Sequence, residues 1–391
     1  MLLELGRSVR IERRQGYFVV HASGGRCNCG DVAVAVLGAF ARPTSVAAAV
    51  AALGRDLPSK QAWLALTSAV VSLVRIGALV PAEGSPGRAA DLVPTGFAAA
   101  SAHVRMLDDH QRTQAFIAAI QSSVRNGATV VDIGTGTGVL AIAAVRAGAS
   151  KVYAIEASGM APTAARLIAA NGASDRVRLI EGWSTEIELP ERVDLVVGEL
   201  IGNDPFDERI VESFSDAVER FAKPSALLVP GEIDVFAQLV AVPGEQLELR
   251  TCTGANTARW QRSYGIDFSE LAQARSPQHF LASPRDVARW RSVSERTLLG
   301  TVVLRTQRNA DLQLESVLVG TAAGTANGVV ISADIKLTPT VRLSTASTEP
   351  TNNWKSSVHL IRECVPVTDG CPVTVTFERL GGSSNVLARK S

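Results

Sequence analysis

The chain has 391 residues, of which 46% are hydrophobic and 20% charged, with a formal net charge of +1. That length accommodates two or three separately cored domains. The near-neutral balance excludes a broad basic field for nucleic acid and an acidic tail. Cys27, Cys29, Cys252, Cys364 and Cys371 are odd in number and scattered, which fits a reducing compartment rather than a disulfide framework. Cys27-Asn28-Cys29 lacks the two-residue gap of a zinc knuckle and no second pair follows it, so these read as structural thiols and no metal is expected.

Glu4, Arg7 and Arg10 interrupt the start before a secretory apolar core forms. The uncharged stretch Gln61 to Val74 is shorter than the roughly 20 residues a membrane helix needs. A cytoplasmic protein with no membrane partner is the expectation. Residues 1–83 begin with two strand-like runs, Ser8 to Glu12 and Tyr17 to His21, joined by a turn at Gln15-Gly16. Three helical stretches follow, near Asp31 to Ala41, Ser45 to Leu53 and Ser59 to Ile76, then a short run Ala78 to Pro81. A hairpin with a tight helical trio is a winged-helix-like α+β plan. Residues 84–90, Gly-Ser-Pro-Gly-Arg with alanines, form a linker.

From 91 to 230 the pattern alternates. Val130 to Ile133, Lys151 to Ile155, Val177 to Ile180 and Asp194 to Val197 are short β-rich runs, with helical stretches between the first three. This is the mark of an α/β fold with a parallel sheet. From 231 to 391 period-two runs such as Val329 to Leu337 predict antiparallel β structure.

Asp132-Ile133-Gly134-Thr135-Gly136-Thr137-Gly138 follows the first of those strands and opens the helix Val139 to Arg146. Glycines here let the backbone turn sharply and approach a ligand closely. A nicotinamide enzyme uses a related turn, but its spacing is GxGxxG, whereas this one is GxGxG. Asp132, two residues before Gly134, is placed to reach the amino acid end of S-adenosylmethionine. Glu156 ends the next strand, where a carboxylate can accept from both ribose hydroxyls. Upstream, Arg112 carries a planar donor fork suited to the methionine carboxylate, although alone it reads as a solvated helix face.

The fourth strand runs into Gly198-Glu199-Leu200-Ile201-Gly202-Asn203-Asp204-Pro205-Phe206-Asp207-Glu208. Glu199 and Glu208 on one loop suit a guanidinium, which each carboxylate can grip through forked hydrogen bonds. This loop resembles the double-glutamate loop of the protein arginine methyltransferases. Met106-Leu107-Asp108 with Arg112-Thr113 resembles the helix before that family's cofactor loop. Trp260 to Ser269 resembles the start of its dimerisation arm, and Pro350 to Lys355 its Thr-His-Trp loop. The resemblance covers about residues 93–378. It implies a Rossmann-like class I methyltransferase domain, then a β-barrel with a dimerisation arm near 256–295, in a homodimer. It also implies cofactor contacts from His103 and near Ser184 to Glu186, hence Thr185 and Glu186. Met106 would line the transfer site, and Asn353 and Trp354 would meet the substrate. Two departures stand out: Asn353 replaces the loop histidine, and both tyrosines of the family's N-terminal segment are absent near Val93 to Phe97.

Residues 8–81 resemble the peptide-binding recognition elements of ribosomal peptide natural-product pathways, whose best-known member is the pyrroloquinoline quinone peptide chaperone. An exposed strand edge there can accept a leader peptide by β-augmentation. The plain alternative is a generic winged helix that binds DNA or packs on the enzyme. The reading is thus a methyltransferase that binds a precursor peptide by its leader and methylates the core, arginine nitrogen being the favoured acceptor. Other peptide amines, a carboxylate, or a non-catalytic binding protein on the same scaffold are the alternatives.

Overall fold

A computed structural model of the chain describes residues 2–6, 9–14, 17–22, 25–29, 32–54, 69–70, 72–74, 76, 78–82, 100–273, 279–349 and 354–390. The first part contains β1 (Leu2–Leu5), β2 (Arg10–Arg14), β3 (Tyr17–Ala22), β4 (Gly25–Cys29), α1 (Val32–Ala39), β5 (Thr44–Ser45), α2 (Val46–Gly54) and β6 (Leu79–Pro81). They form two antiparallel three-stranded sheets, β5-β1-β6 and β2-β3-β4. The expected hairpin therefore gains a third strand: Gly25 to Cys29 pairs with Phe18 to Ala22, and Cys27 packs on the local core. Leu2 to Leu5, which showed no strand signal in the sequence, forms the centre of the other sheet because Leu3 is fully buried there. That core gathers Leu3, Val20, Val36, Phe40, Leu73 and Leu79. Most of the expected third helix, the turn Gln15-Gly16, the linker 84–90 and Val93 to Phe97 lie outside the described residues.

Next come α3 (Ala100–Asp108), α4 (His110–Ser123), β7 (Thr129–Ile133), α5 (Val139–Arg146), β8 (Lys151–Glu156), α6 (Ala161–Ala170), β9 (Val177–Glu181), β10 (Val193–Val197), α7 (Ile210–Arg220) and β11 (Ala222–Val229). The sheet order is β11-β10-β7-β8-β9, and every pairing is parallel. All five residues of β7 are buried, as a central parallel strand covered on both faces requires. Pro224 sits in β11, the edge strand, where its missing N–H leaves no ladder bond unmade. Chain order reverses between β7 and β10, the switch point where open α/β sheets bind ligands beyond the strand ends.

The remaining chain is antiparallel. β12 (Glu232–Ala241) pairs with β17 (Gly324–Lys336) in unbroken register from Glu232↔Lys336 to Val240↔Gly328. Around them lie β13 (His279–Ala282), β14 (Arg291–Ser292), β15 (Thr297–Val303), β18 (Arg342–Ser344) and β19 (Ser356–Val367). β16 (Leu312–Val319), β20 (Pro372–Leu380) and β21 (Ser383–Lys390) make a second sheet. The result is a curled half-barrel. Between β12 and β13 stand α8 (Gly244–Glu248), α9 (Gly254–Tyr264), capped by Thr253, and the turn Ser269–Gln273. One hydrophobic core runs without a break from the parallel sheet into the barrel, and Phe206 on Phe377, ring centres 6.1 Å apart, stitches the two.

Candidate active site

Three glycines make the turn after β7. Gly134, Gly136 and Gly138 have φ of 72°, 55° and 82°, a region that side chains rarely adopt. Space is tight too: a Cβ on Gly134 would stand 3.0 Å from Leu200 Cδ2, and one on Gly136 3.0 Å from His103 Cε1. His103 of α3 is thus buried against the glycine turn. Beneath the turn, Asp132 is fully buried; its Oδ2 accepts from the Thr135 hydroxyl at 2.5 Å, and Oδ1 has no partner. Burial pushes its carboxyl up to about 7. Glu156, at the end of β8, accepts from the Gly136 N–H and the Ser158 N–H, each at 2.7 Å, tying that strand end to the turn. Thr185 and Glu186 lie exposed in the short turn Ser184–Glu186 after β9, which Arg220 anchors by donating to the Ser184 and Ile187 carbonyls.

A second group assembles beyond β10. Glu199, Glu208, Met106, Asp109, Arg112, Ile201, Asn203 and Trp354 line one cavity of about 100 Å³. That is well under the roughly 300–1,000 Å³ of small-molecule pockets, and it suits the head of one side chain. Asp109 caps α4 by accepting from the Arg112 N–H at 3.1 Å, which fixes the start of the helix that carries Arg112. The guanidinium donates to Glu199 Oε2 at 2.6 Å and to the Met106 carbonyl at 2.7 Å. Arg112 therefore stands at the acid loop, tied to Glu199 and to the end of α3, and not at the glycine turn. The Trp354 indole donates to the Ile201 carbonyl at 2.8 Å, and the Lys355 N–H to Asn203 Oδ1 at 2.7 Å. Asn353 lies outside the described residues.

The acid loop is built tightly. A Cβ on Gly202 would fall 2.6 Å from the Asp204 carbonyl oxygen, and Arg209, right after Glu208, adopts a left-handed φ of 61°. Such a conformation costs energy in a non-glycine residue and persists only where surroundings enforce it. From below, Arg379 of β20, 1% exposed, donates to Glu212 Oε1 at 2.9 Å, to the Ala310 carbonyl and to the Phe206 carbonyl. Burial raises the Glu199 carboxyl above its usual range against the pull of the Arg112 guanidinium. Burial and the neighbouring Glu199 charge hold Glu208 well above it. The sequence reading named both glutamates, Met106, Arg112 and Trp354. It missed Asp109, Ile201, Asn203 and Arg379. Asp109 had a detectable signal, an acid before an amphipathic run; Arg379 had none, being one arginine on a barrel strand.

These residues fit S-adenosylmethionine. The glycine turn has a backbone conformation that side chains rarely adopt, an unpartnered buried carboxylate oxygen stands beside it, and Glu156 ends the adjacent strand. Fold and site together define the class by its architecture: a methyltransferase-like Rossmann domain followed by a β-barrel. Residues 108–251 match the ribosomal protein L11 methyltransferase family, and residues 250–386 match the arginine methyltransferase oligomerisation subdomain.

Within that class the chain is similar to arginine methyltransferases. It is 29% identical to the histone-arginine methyltransferase CARMER of Anopheles gambiae over 68% of this chain and 43% of that protein. It is 32% identical to the probable protein arginine N-methyltransferase 6 of Arabidopsis thaliana over 45% of this chain and 40% of that one. The chain spans less than half the length of these curated relatives. Among solved structures, the PRMT1 enzyme–prozyme heterotetrameric complex of Trypanosoma brucei with AdoHcy superposes with a TM-score of 0.64 at 22% identity, covering 73% of this chain and 89% of that one. Protein arginine methyltransferase 10 of Arabidopsis thaliana gives 0.60 at 21%, covering 75% and 94%.

Proposed function

We propose that this chain transfers a methyl group from S-adenosylmethionine to an arginine side-chain nitrogen of a peptide. The observation that carries this reading is that Glu199 and Glu208, from one loop, wall the same small pocket as Arg112 and Met106. Bound S-adenosylmethionine supplies an electrophilic methyl group on a sulfonium. Asp132, Gly134, Gly136, Glu156 and Arg112 are the residues proposed to hold it, with His103, Thr185 and Glu186 beside them.

Glu199 and Glu208 grip the acceptor guanidinium through charge-assisted hydrogen bonds, which draw its positive charge onto the bound nitrogens. The remaining nitrogen keeps its lone pair for attack, and Met106 fills the wall beside it. Positioning supplies most of the rate, because the reacting atoms meet already aligned. Transfer of that methyl group would leave the acceptor nitrogen with a proton to shed. Glu208, whose proton affinity burial has raised, is suited to take it once ionised. Trp354 braces the acid loop through Ile201, and Asn353, its neighbour in sequence, is proposed to meet the substrate beside it. Another peptide amine would also suit two carboxylates; a carboxylate acceptor would meet repulsion.

The finer reading is a leader-guided enzyme of ribosomal peptide natural-product biosynthesis. Residues 1–83 hold the precursor's leader, 84–90 link, 91–230 bind cofactor, and 231–391 form the barrel with its arm. Two small sheets with short edge strands support the first assignment, since an edge can add a peptide strand. Exposed Tyr264, Ile266 and Leu271 on the arm support a homodimer. Free thiols at Cys27, Cys252, Cys364 and Cys371 support a cytoplasmic setting, and among the described residues no helix is long and apolar enough to cross a membrane.

The test is mass spectrometry of arginine-containing peptides, and of any short precursor encoded beside the gene, after incubation with enzyme and methyl-labelled cofactor. Label on an arginine nitrogen supports the reading. Label on another atom, or cofactor binding without transfer to any peptide, overturns it.

A further inference from the structure

Between the two glutamates in sequence, Asp204 is 2% exposed and is not among the residues that line the pocket. Its Oδ1 accepts from the Phe206 N–H at 3.3 Å, and its Oδ2 has no hydrogen-bond partner. That orphan oxygen stands 4.0 Å from Nε2 of His359, itself 3% exposed on β19. Behind His359, the Ser357 hydroxyl lies 3.2 Å from the same Nε2 and 2.9 Å from Nε2 of His279 on β13. The two imidazoles stack with ring centres 4.6 Å apart. The chemistry proposed above uses none of these groups, and among the described residues no cluster of this kind has metal-binding geometry.

An ionised, unpartnered oxygen at this depth is expensive. A proton on Asp204 removes that cost and makes Oδ2 a donor 4.0 Å from Nε2; with the Ser357 hydroxyl given to the nearer His279 Nε2, a closure to about 2.8 Å would make the bond. Burial favours both neutral forms: it pushes the Asp204 carboxyl up to about 7, with the nearby Asp207 charge adding to the rise. It holds the His359 ring well below its usual range, with His279 adding to the fall. The other groups facing Asp204 are Arg379 on β20 and the Ser384 hydroxyl on β21, both favouring its charged form. Arg379 is already engaged by Glu212 of α7.

We propose that Asp204 is a positioning residue for the acid loop: one proton held between its Oδ2 and Nε2 of His359 bolts the loop to the barrel, and its loss loosens the Glu199–Glu208 pair. This rests on the methyl-transfer reading for its consequence but not for its test. The bolt acts through the loop that Trp354 also grips, so the Trp354 indole N–H, bonded to the Ile201 carbonyl, reports loop position without turnover.

The experiment is nitrogen-15 NMR of the full chain from about pH 5.5 to 9, following the Trp354 indole (assigned with Trp354→Phe) and His-selective labelling of His359. Both signals should move with one shared midpoint near 7, and Asp204→Asn, a permanently neutral stand-in, should abolish the Trp354 transition. In parallel, a rate advantage of Asp204→Asn over the parent should appear as pH rises through the Asp204 midpoint, growing by at most about tenfold per pH unit. Different midpoints for Trp354 and His359 in the parent protein would overturn the bolt, even if Asp204→Asn failed to fold. A Trp354 transition that persists in Asp204→Asn would assign the titration to Glu199, Glu208 or Asp207 instead. Absence of methyl transfer with the shared midpoint intact would strike the functional reading alone.

Discussion

Arg112 Nη1 lies 2.6 Å from Oε2 of Glu199, with side chains 11% and 12% exposed. The cation that closes one side of the small pocket thus faces one of its two acids, and under the proposed function it leaves Glu208 as the group that must answer an incoming charge. Buried, hydrogen-bonded pairs of this kind keep most of their Coulomb attraction, because water does not screen them.

Binding of a cationic acceptor should therefore ionise Glu208 and release a proton. Calorimetry of an arginine peptide in buffers of different ionisation enthalpy should show a buffer-dependent heat that Glu208→Gln removes. The same variant should lower kcat/KM by about 100-fold or more while leaving cofactor affinity unchanged. A heat independent of buffer would count against the held proton.

Arg112→Lys keeps the charge but loses the fork that reaches Glu199 and the Met106 carbonyl together. One lost charge-assisted bond is worth about 1.5–3 kcal/mol, so kcat/KM should fall about 10- to 100-fold. Kinetics within twofold of the parent would show that the second bond is dispensable.

Gly202→Ala places a methyl 2.6 Å from the Asp204 carbonyl oxygen and 2.7 Å from Asp207 Cβ. The loop must shift, at a cost of about 1–3 kcal/mol. Acceptor KM should rise more than cofactor Kd, as read by peptide kinetics and calorimetry on one preparation. Equal effects on both would place the damage outside the loop.

Arg379→Leu removes the buried cation under the loop and leaves Glu212 without it. Breaking a buried pair costs about 3–5 kcal/mol, so the melting temperature should drop by several degrees. A neutral result would mean that water replaces the guanidinium without loss.

Asp132 binds its proton more tightly in the folded state, with a value near 7, than in the unfolded chain near 4. Such a group weakens the fold as pH rises between those values, the loss being complete above 7. Melting curves from about pH 4.5 to 7.5 should slope less steeply downward in Asp132→Asn than in the parent. His279 and His359, held low by burial, oppose the trend below their unfolded value near 6.5, so the comparison between the two proteins matters, not the absolute slope.

The local chemistry was legible in the order of residues. A buried strand needs an apolar run, a ligand-hugging turn needs glycines, and a cation grip needs two acids, so β7, Gly134 to Gly138 and Glu199 with Glu208 all announced themselves. The strand Gly25 to Cys29 did not, because its small and polar residues carry no periodic signal and its place comes from pairing with β3. Only the tertiary structure decided the sheet order, since which parallel strands become neighbours depends on crossover packing far apart in the chain. It alone brought Arg112 to Glu199, 87 positions away, and Arg379 to Glu212, 167 away. Burial is likewise a property of the assembled core: it turned Asp132, Asp204 and His359 from ordinary titratable residues into groups whose charge the fold controls.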